Sequence, residues 1–149
     1  MLTTHHPGRT NLLVIPSLTL ADAQRMMAAA LDRADAIGQA MNVTIVDATA
    51  LPLMFVRQDG AKLGSIDISQ RKARTALLTG KDTAELGLEA QPGQPLYGIE
   101  ATNGGLVLFG GGVVVRDSEN RIVGAIGVSA GTVNEDLDVA FAGVKAFLS

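Results

Sequence analysis

The segment from Phe109 to Gly131, FGGGVVVRDSENRIVGAIGVSAG, sets the tightest limit on what this chain can form. Three successive glycines open a valine run, a turn composition (DSEN) follows, and a second β-rich run carries Gly124 and Gly127. The pattern predicts two strands, Val113–Arg116 and Ile122–Val128, joined by a tight turn. Glycines within the second run leave gaps on the sheet surface, where a helix or another chain can come close. A phosphate loop is the competing reading. It needs Lys and then Ser or Thr directly after its last glycine, and here Val113, Val114 and Val115 follow instead. The dinucleotide spacing G-x-G-x-x-G is also absent. The glycines therefore read as architectural, or as shaping a concave wall.

The rest of the chain supplies matching elements. SLTLADAQRMMAAALDRADAIGQAM has apolar residues at three- and four-residue steps, with Thr19 as N-cap and Asp22 in the first turn. Val43–Val46 and Leu53–Val56 read as a hairpin across DATALP. GSIDISQRKARTALLTG predicts a second helix, capped by Ser65 or Asp67 and ended by Gly80. A short helical turn follows, with Asp82 and Glu85 at capping-box spacing. The last helix opens with Thr132 and Glu135 in a second capping box and buries Leu137, Ala140, Phe141 and Val144, leaving Val139 off the stripe. Hairpin connections make the sheet antiparallel, so the class is α+β. Residues 1–17 read as an N-terminal tail and 18–149 as one domain.

Composition removes whole classes of chemistry. There is no cysteine, hence no disulfide, thiolate nucleophile, thiolate haem ligand or zinc–thiolate site. Net charge is −3 with no basic cluster, so the electrostatic footprint of nucleic-acid binding is missing. The run NLLVIPSLTL is broken by Pro16 and reads as neither a secretion signal nor a membrane span, which points to a cytoplasmic protein. Apolar residues make up 47% of the chain, yet it has four Phe, one Tyr and no Trp, so the core must be built from aliphatic and small side chains. Such a core buries little area per residue, and contact between copies of the chain is expected to add to it.

The candidate sites are few. GVSAG matches the nucleophile-elbow pattern at Ser129, but no histidine follows it, which removes a hydrolase triad. Ser129 with the Gly131 and Thr132 amides can hold an anion at the start of the last helix. His5 and His6 stand in the tail, and no histidine–carboxylate spacing marks a metal site. Asp59, Lys72 and Glu135 are the candidate acid–base residues, because each lies at or near the end of an element or on the second helix. Arg74, Gly111, Gly112 and Ser129 form the candidate ligand-binding set.

VTIVDA, RQDGA, SIDISQRKARTA, NGGLVLFGGGVVV and RIVGAIGVSAGTVNEDLDVAFAGVKAF together resemble the GlcG/HbpS family, which also occurs as the C-terminal domain of PduO-type corrinoid adenosyltransferases. The resemblance runs from Leu18 to Phe147. It implies a profilin-like α+β domain with a five-stranded antiparallel sheet flanked by helices, assembled as a homo-oligomer, commonly a tetramer or octamer. It also implies a ligand: haem, another tetrapyrrole or a small organic acid. For haem iron the residues on offer are His5, His6, Tyr97, Met54 and Thr102. The alternative implied role is a cofactor-independent catabolic enzyme for a small carboxylate, with Lys72 or Arg74 holding the acid and Asp59 or Glu135 moving a proton. A third is a scaffold that serves assembly alone. Relatives often carry a glycine pair where this chain has ATALP, so the first hairpin turn is shaped differently here.

Overall fold

The computed structural model describes residues 11–149. The chain forms α1 (Leu20–Ala36), β1 (Asn42–Asp47), β2 (Pro52–Arg57), α2 (Gly64–Thr79), α3 (Thr83–Glu89), a 3₁₀ turn (Ile99–Ala101), β3 (Gly112–Arg116), β4 (Ile122–Ser129) and α4 (Val133–Leu148). The strands make one antiparallel sheet in the order β2-β1-β4-β3. Helix α2 packs on one face, and α1 and α4 pack together on the other. The expected N-cap Thr19 forms a full capping box with Asp22, and the predicted box of Thr132 with Glu135 forms as well. Gly80 ends α2 in the left-handed conformation.

The sheet has four strands among the described residues, where five were expected. The apolar run Leu106–Phe109 could have supplied another, but its backbone is engaged elsewhere. Leu106 N–H donates to the Glu100 carbonyl, and Val107 N–H donates to Thr75 Oγ1 on α2. The Leu108 carbonyl lies so close to Gly87 of α3 that no Cβ fits there. The outer edge of β3 is closed as well. Gly112 N–H donates to Thr83 Oγ1 and Val114 N–H to Asp82 Oδ1, both at 2.9 Å. Asp82 therefore serves the sheet edge and not the expected cap of α3. At α2, neither Ser65 nor Asp67 caps the helix; it opens through i→i−3 bonds from Ser65 and Ile66.

Close approach organises both layers. On the α2 face, a Cβ at Gly127 would overlap the Ser69 carbonyl, and one at Gly112 the Lys72 carbonyl. On the other face, a Cβ at Gly143 of α4 would sit 2.7 Å from Ile126 Cδ1. That contact accounts for a difference in α4. Small residues, Ala140 and Gly143, lead the helix inward beside the fully buried Val139, while Phe141 is left half-exposed at the rim. Hydrophobicity favoured Phe141 for the inside; the gap between layers admits only the smaller side chains.

Lys72 of α2 is fully buried. Its Nζ donates to Asp136 Oδ2 and to the Val128 carbonyl, each at 2.8 Å, and lies 5.0 Å from the centre of the Phe109 ring. The other Asp136 oxygen accepts from Gly131 N–H at 3.0 Å. One ion pair thus fastens α2 to the end of β4 and the start of α4.

The β1–β2 turn is built on Asp47, whose Oδ1 accepts from the amides of Thr49 and Leu51 and from the Thr49 hydroxyl. Burial pushes this carboxyl up, but those hydrogen bonds outweigh it and hold Asp47 below the usual carboxylate range. Ala50 completes the turn at φ +67°, a conformation that glycine adopts without strain.

Three outcomes are expected in urea unfolding. Gly127→Ala destabilises by about 2–3 kcal/mol, because the new methyl meets α2 backbone. Lys72→Met strands a buried carboxyl and costs about 3–5 kcal/mol, whereas Lys72→Met with Asp136→Leu recovers most of the loss. Ala50→Gly stabilises by up to about 1 kcal/mol by relieving the left-handed alanine.

Candidate functional site

Helix α2 divides its side chains by the helical period. Ser69, Lys72, Ala73 and Ala76 face the sheet and are buried. Asp67, Gln70, Arg71 and Arg74 fall at i, i+3, i+4 and i+7 along another side. The helix covers β4, β1 and β3 but does not reach over β2. A groove therefore opens between α2 and the β1–β2 hairpin. Its apolar notch, about 240 Å³, is walled by Val46, Ala50, Pro52 and Phe55, with Thr44 on the floor and Gln70 and Arg74 at the mouth. Gln70 and Arg74 also line a polar extension of about 340 Å³, shared with Asp67, Arg71, Asn103 and Gly104.

The extension is shaped by a left-handed turn. Asn103, Gly104 and Gly105 have φ of +53°, +73° and +107°, which aims their carbonyls at α2. Arg74 donates to the Asn103 carbonyl, and Arg71 to those of Gly104 and Gly105. Arg71 is also paired with Asp67 at 2.8 Å. Arg74 makes no ion pair among the described residues and is the one charged side chain in the notch. The groove thus offers an aromatic and aliphatic wall beside a guanidinium with free donors, which suits a flat apolar molecule carrying a carboxylate.

The other residues singled out in the sequence lie elsewhere. Asp59 borders an open depression of about 510 Å³ whose side chains Asp35, Gln39, Arg57 and Gln58 are polar. Gln58 is engaged there by Asp35 and the Met41 amide, and among the described residues the only apolar side chains lining the depression are those of Ala34 and Ala40. Glu135 is engaged as the cap of α4. Lys72 is sealed beneath Phe109. Burial pushes Lys72 down and Asp136 up, and their hydrogen bond and attraction oppose both shifts. The three acid–base candidates therefore share no cavity. Gly111 and Gly112 pack against Lys72, and Ser129 is buried at the end of β4. Of the ligand-binding set, Arg74 lies in the groove.

Among the haem-iron candidates, Met54 packs against the core and Thr102 donates its hydroxyl to the Ile99 carbonyl. Tyr97 is exposed on the 91–98 loop, outside the groove lining. His5 and His6 lie outside the described residues. The groove walls offer apolar surface and a guanidinium, as the ring and carboxylates of a tetrapyrrole require, but among the described residues they carry no histidine, methionine or tyrosine for its iron. Phe55, Gln70 and Asn103 were not singled out beforehand. The TNGG run at 102–105 was the available signal, since Asn-Gly favours left-handed turns.

Known proteins share this architecture. The chain is 37% identical over 134 residues to the 15.0 kDa protein of the dhaT–dhaS intergenic region of Citrobacter freundii, covering 89% of this chain and 94% of that one. It is 34% identical over 131 residues to the corrinoid adenosyltransferase PduO of the same organism, covering 87% of this chain but 39% of PduO. Among solved structures, Klebsiella pneumoniae ORFY superposes with a TM-score of 0.90 at 37% identity, over 95% of this chain and 97% of ORFY. The PduOC–haem complex superposes at 0.83 and 34% identity, over 87% of this chain and 94% of PduOC. The model of the haem-degrading protein HbpS-like family matches residues 18–145, and with the antiparallel sheet and glycine-led packing described above, the chain belongs to that family.

Proposed function

We propose that this protein binds a flat, apolar, carboxylate-bearing ligand of the tetrapyrrole class, haem included, in the groove between α2 and the β1–β2 hairpin. The observation that carries the reading is the pairing of the Phe55–Pro52 wall with the Arg74 guanidinium, which has no ion-pair partner among the described residues, in one notch. Its support from relatives is that PduOC, similar over most of this chain, was solved as a haem complex. Apolar ring surface lies against Phe55, Pro52 and Val46, and a propionate takes the Arg74 donors. Haem iron supplies the colour and redox chemistry of such a complex when bound; these groove residues grip only its periphery. The reading includes a cytoplasmic homo-oligomer, a tetramer or octamer. Phe109, Val133 and Phe141 are apolar side chains exposed at the surface, as contact between copies requires.

A small organic acid is the second reading, favoured by the size of the notch, which lies below the usual range for drug-sized ligands of roughly 300–1,000 Å³. A catalytic role would need acid–base residues other than the separated Asp59, Lys72 and Glu135.

Titration of the full chain with haemin, and in parallel with metal-free protoporphyrin, tests the proposal by absorbance and fluorescence. Both porphyrins are expected to bind with similar affinity, because the groove grips the periphery. Arg74→Glu is expected to weaken both about tenfold or more, equivalent to ~1.4 kcal/mol or more. Absence of a spectral change with either porphyrin, or binding indifferent to Arg74→Glu, overturns it. Thermal stabilisation by small carboxylates alone would favour the second reading.

A further inference from the structure

The N-terminal part of the described chain presents an apolar segment without cover. Leu12, Leu13, Val14 and Ile15 are between 59% and 87% exposed. They lie in neither helix nor strand, and no hydrogen bond engages their backbone among the described residues. All four are residues with little reason to face water, and Val14 and Ile15 favour extended structure. A strand apolar at every position needs cover on both of its faces. The root of the segment is fastened, by Leu18 N–H to the Val123 carbonyl at 2.9 Å and by Ala48 N–H to Ser17 Oγ at 3.0 Å. The run before it is a short arm on a fixed anchor.

The sheet has one place to receive such an arm. The β3 edge is closed by Thr83 and Asp82. At the β2 edge, the backbone groups not paired with β1 meet no partner among the described residues. Leu51 and Phe55 are exposed along it. An open edge beside exposed apolar side chains is the usual template for adding a strand.

We propose that the Leu12–Ile15 arm of one copy pairs, as an added strand, with the β2 edge of a second copy, and that the exchange is reciprocal about a twofold axis. The chain itself carries both complementary halves, an apolar strand without a sheet and a sheet edge without a strand. Two copies satisfy both at once and leave neither half open, which a twofold arrangement achieves and an open chain of copies does not. Within a single copy the anchored arm is not paired with its own β2. The added strand would run beside Pro52 and Phe55, so where the groove is the ligand site, the second copy completes its apolar wall. The pairing itself does not depend on the ligand reading.

The absence of cysteine allows a direct test on the full chain. Leu13→Cys and Val14→Cys are each prepared separately from Phe55→Cys, mixed, and joined with a short bismaleimide. A covalent dimer containing one arm variant and one edge variant is expected. Leu13→Asp with Val14→Asp is expected to lower the sedimenting mass at micromolar concentration while leaving the circular dichroism spectrum of the fold unchanged. The proposal is overturned by a monomeric native chain, by an assembly that the aspartates leave intact, or by failure of the mixed arm and edge variants to give a covalent dimer. Porphyrin titration is a separate readout, so loss of ligand binding and loss of arm exchange are told apart.

Discussion

At two points helix α2 lies so close to β4 and β3 that no side chain fits between the backbones. At Gly127 and Gly112 the helix backbone occupies the space a Cβ would take. Helix–sheet contact at that range gains dispersion and excludes water, but it leaves no room for Lys72 except lengthwise between the layers. The ammonium must then find its partners inside, and it finds the Val128 carbonyl and Asp136. Close approach and the buried ion pair are thus one arrangement, in which glycine admits the helix and the lysine sets its position relative to α4. A buried pair of this kind adds little net stability over an apolar equivalent, but breaking it by half is costly, so it acts as a constraint on alignment.

The groove is a consequence of the same packing. Because α2 is drawn over β4, β1 and β3, it falls short of β2, and Pro52 and Phe55 remain at an unroofed margin. The outward residues of α2 then look across that margin. Arg71 and Arg74 hold the 103–105 turn in place, and the turn positions the two guanidinium groups in return. A ligand carboxylate at Arg74 would meet a side chain already ordered, which lowers the entropic cost of binding. The edge of β2 and the wall of the groove are the same strand seen from two sides, so the proposed arm exchange and the proposed ligand site meet there.

Much of the fold was legible in the chain. The Thr19 cap, the Thr132–Glu135 capping box, Gly80 at the end of α2, the β3–β4 hairpin and the packing role of the glycines all follow from local chemistry, where a residue and its near neighbours decide the outcome. The misplaced features share a different cause. Asp82 has the spacing of a cap but serves Val114, because the sheet edge brought by the tertiary fold competes for its carboxylate. Leu106–Phe109 has the composition of a strand but is drawn to Thr75 and Glu100. Phe141 has the right period for burial, yet the narrow gap set by Gly143 and Ile126 selects Val139 in its place, beside the expected Ala140.

By itself, the order of residues determined an antiparallel α+β domain with glycine-led layer contact, and it excluded thiolate chemistry and phosphate loops, since these depend on which atoms are present and on spacing along the chain. Only the tertiary structure decided that Lys72 is sealed while Arg74 is open, although they stand two residues apart on one helix. The reason is geometric: a 100° turn per residue sends the two side chains to different surroundings, and which side meets the sheet is settled by partners distant in sequence.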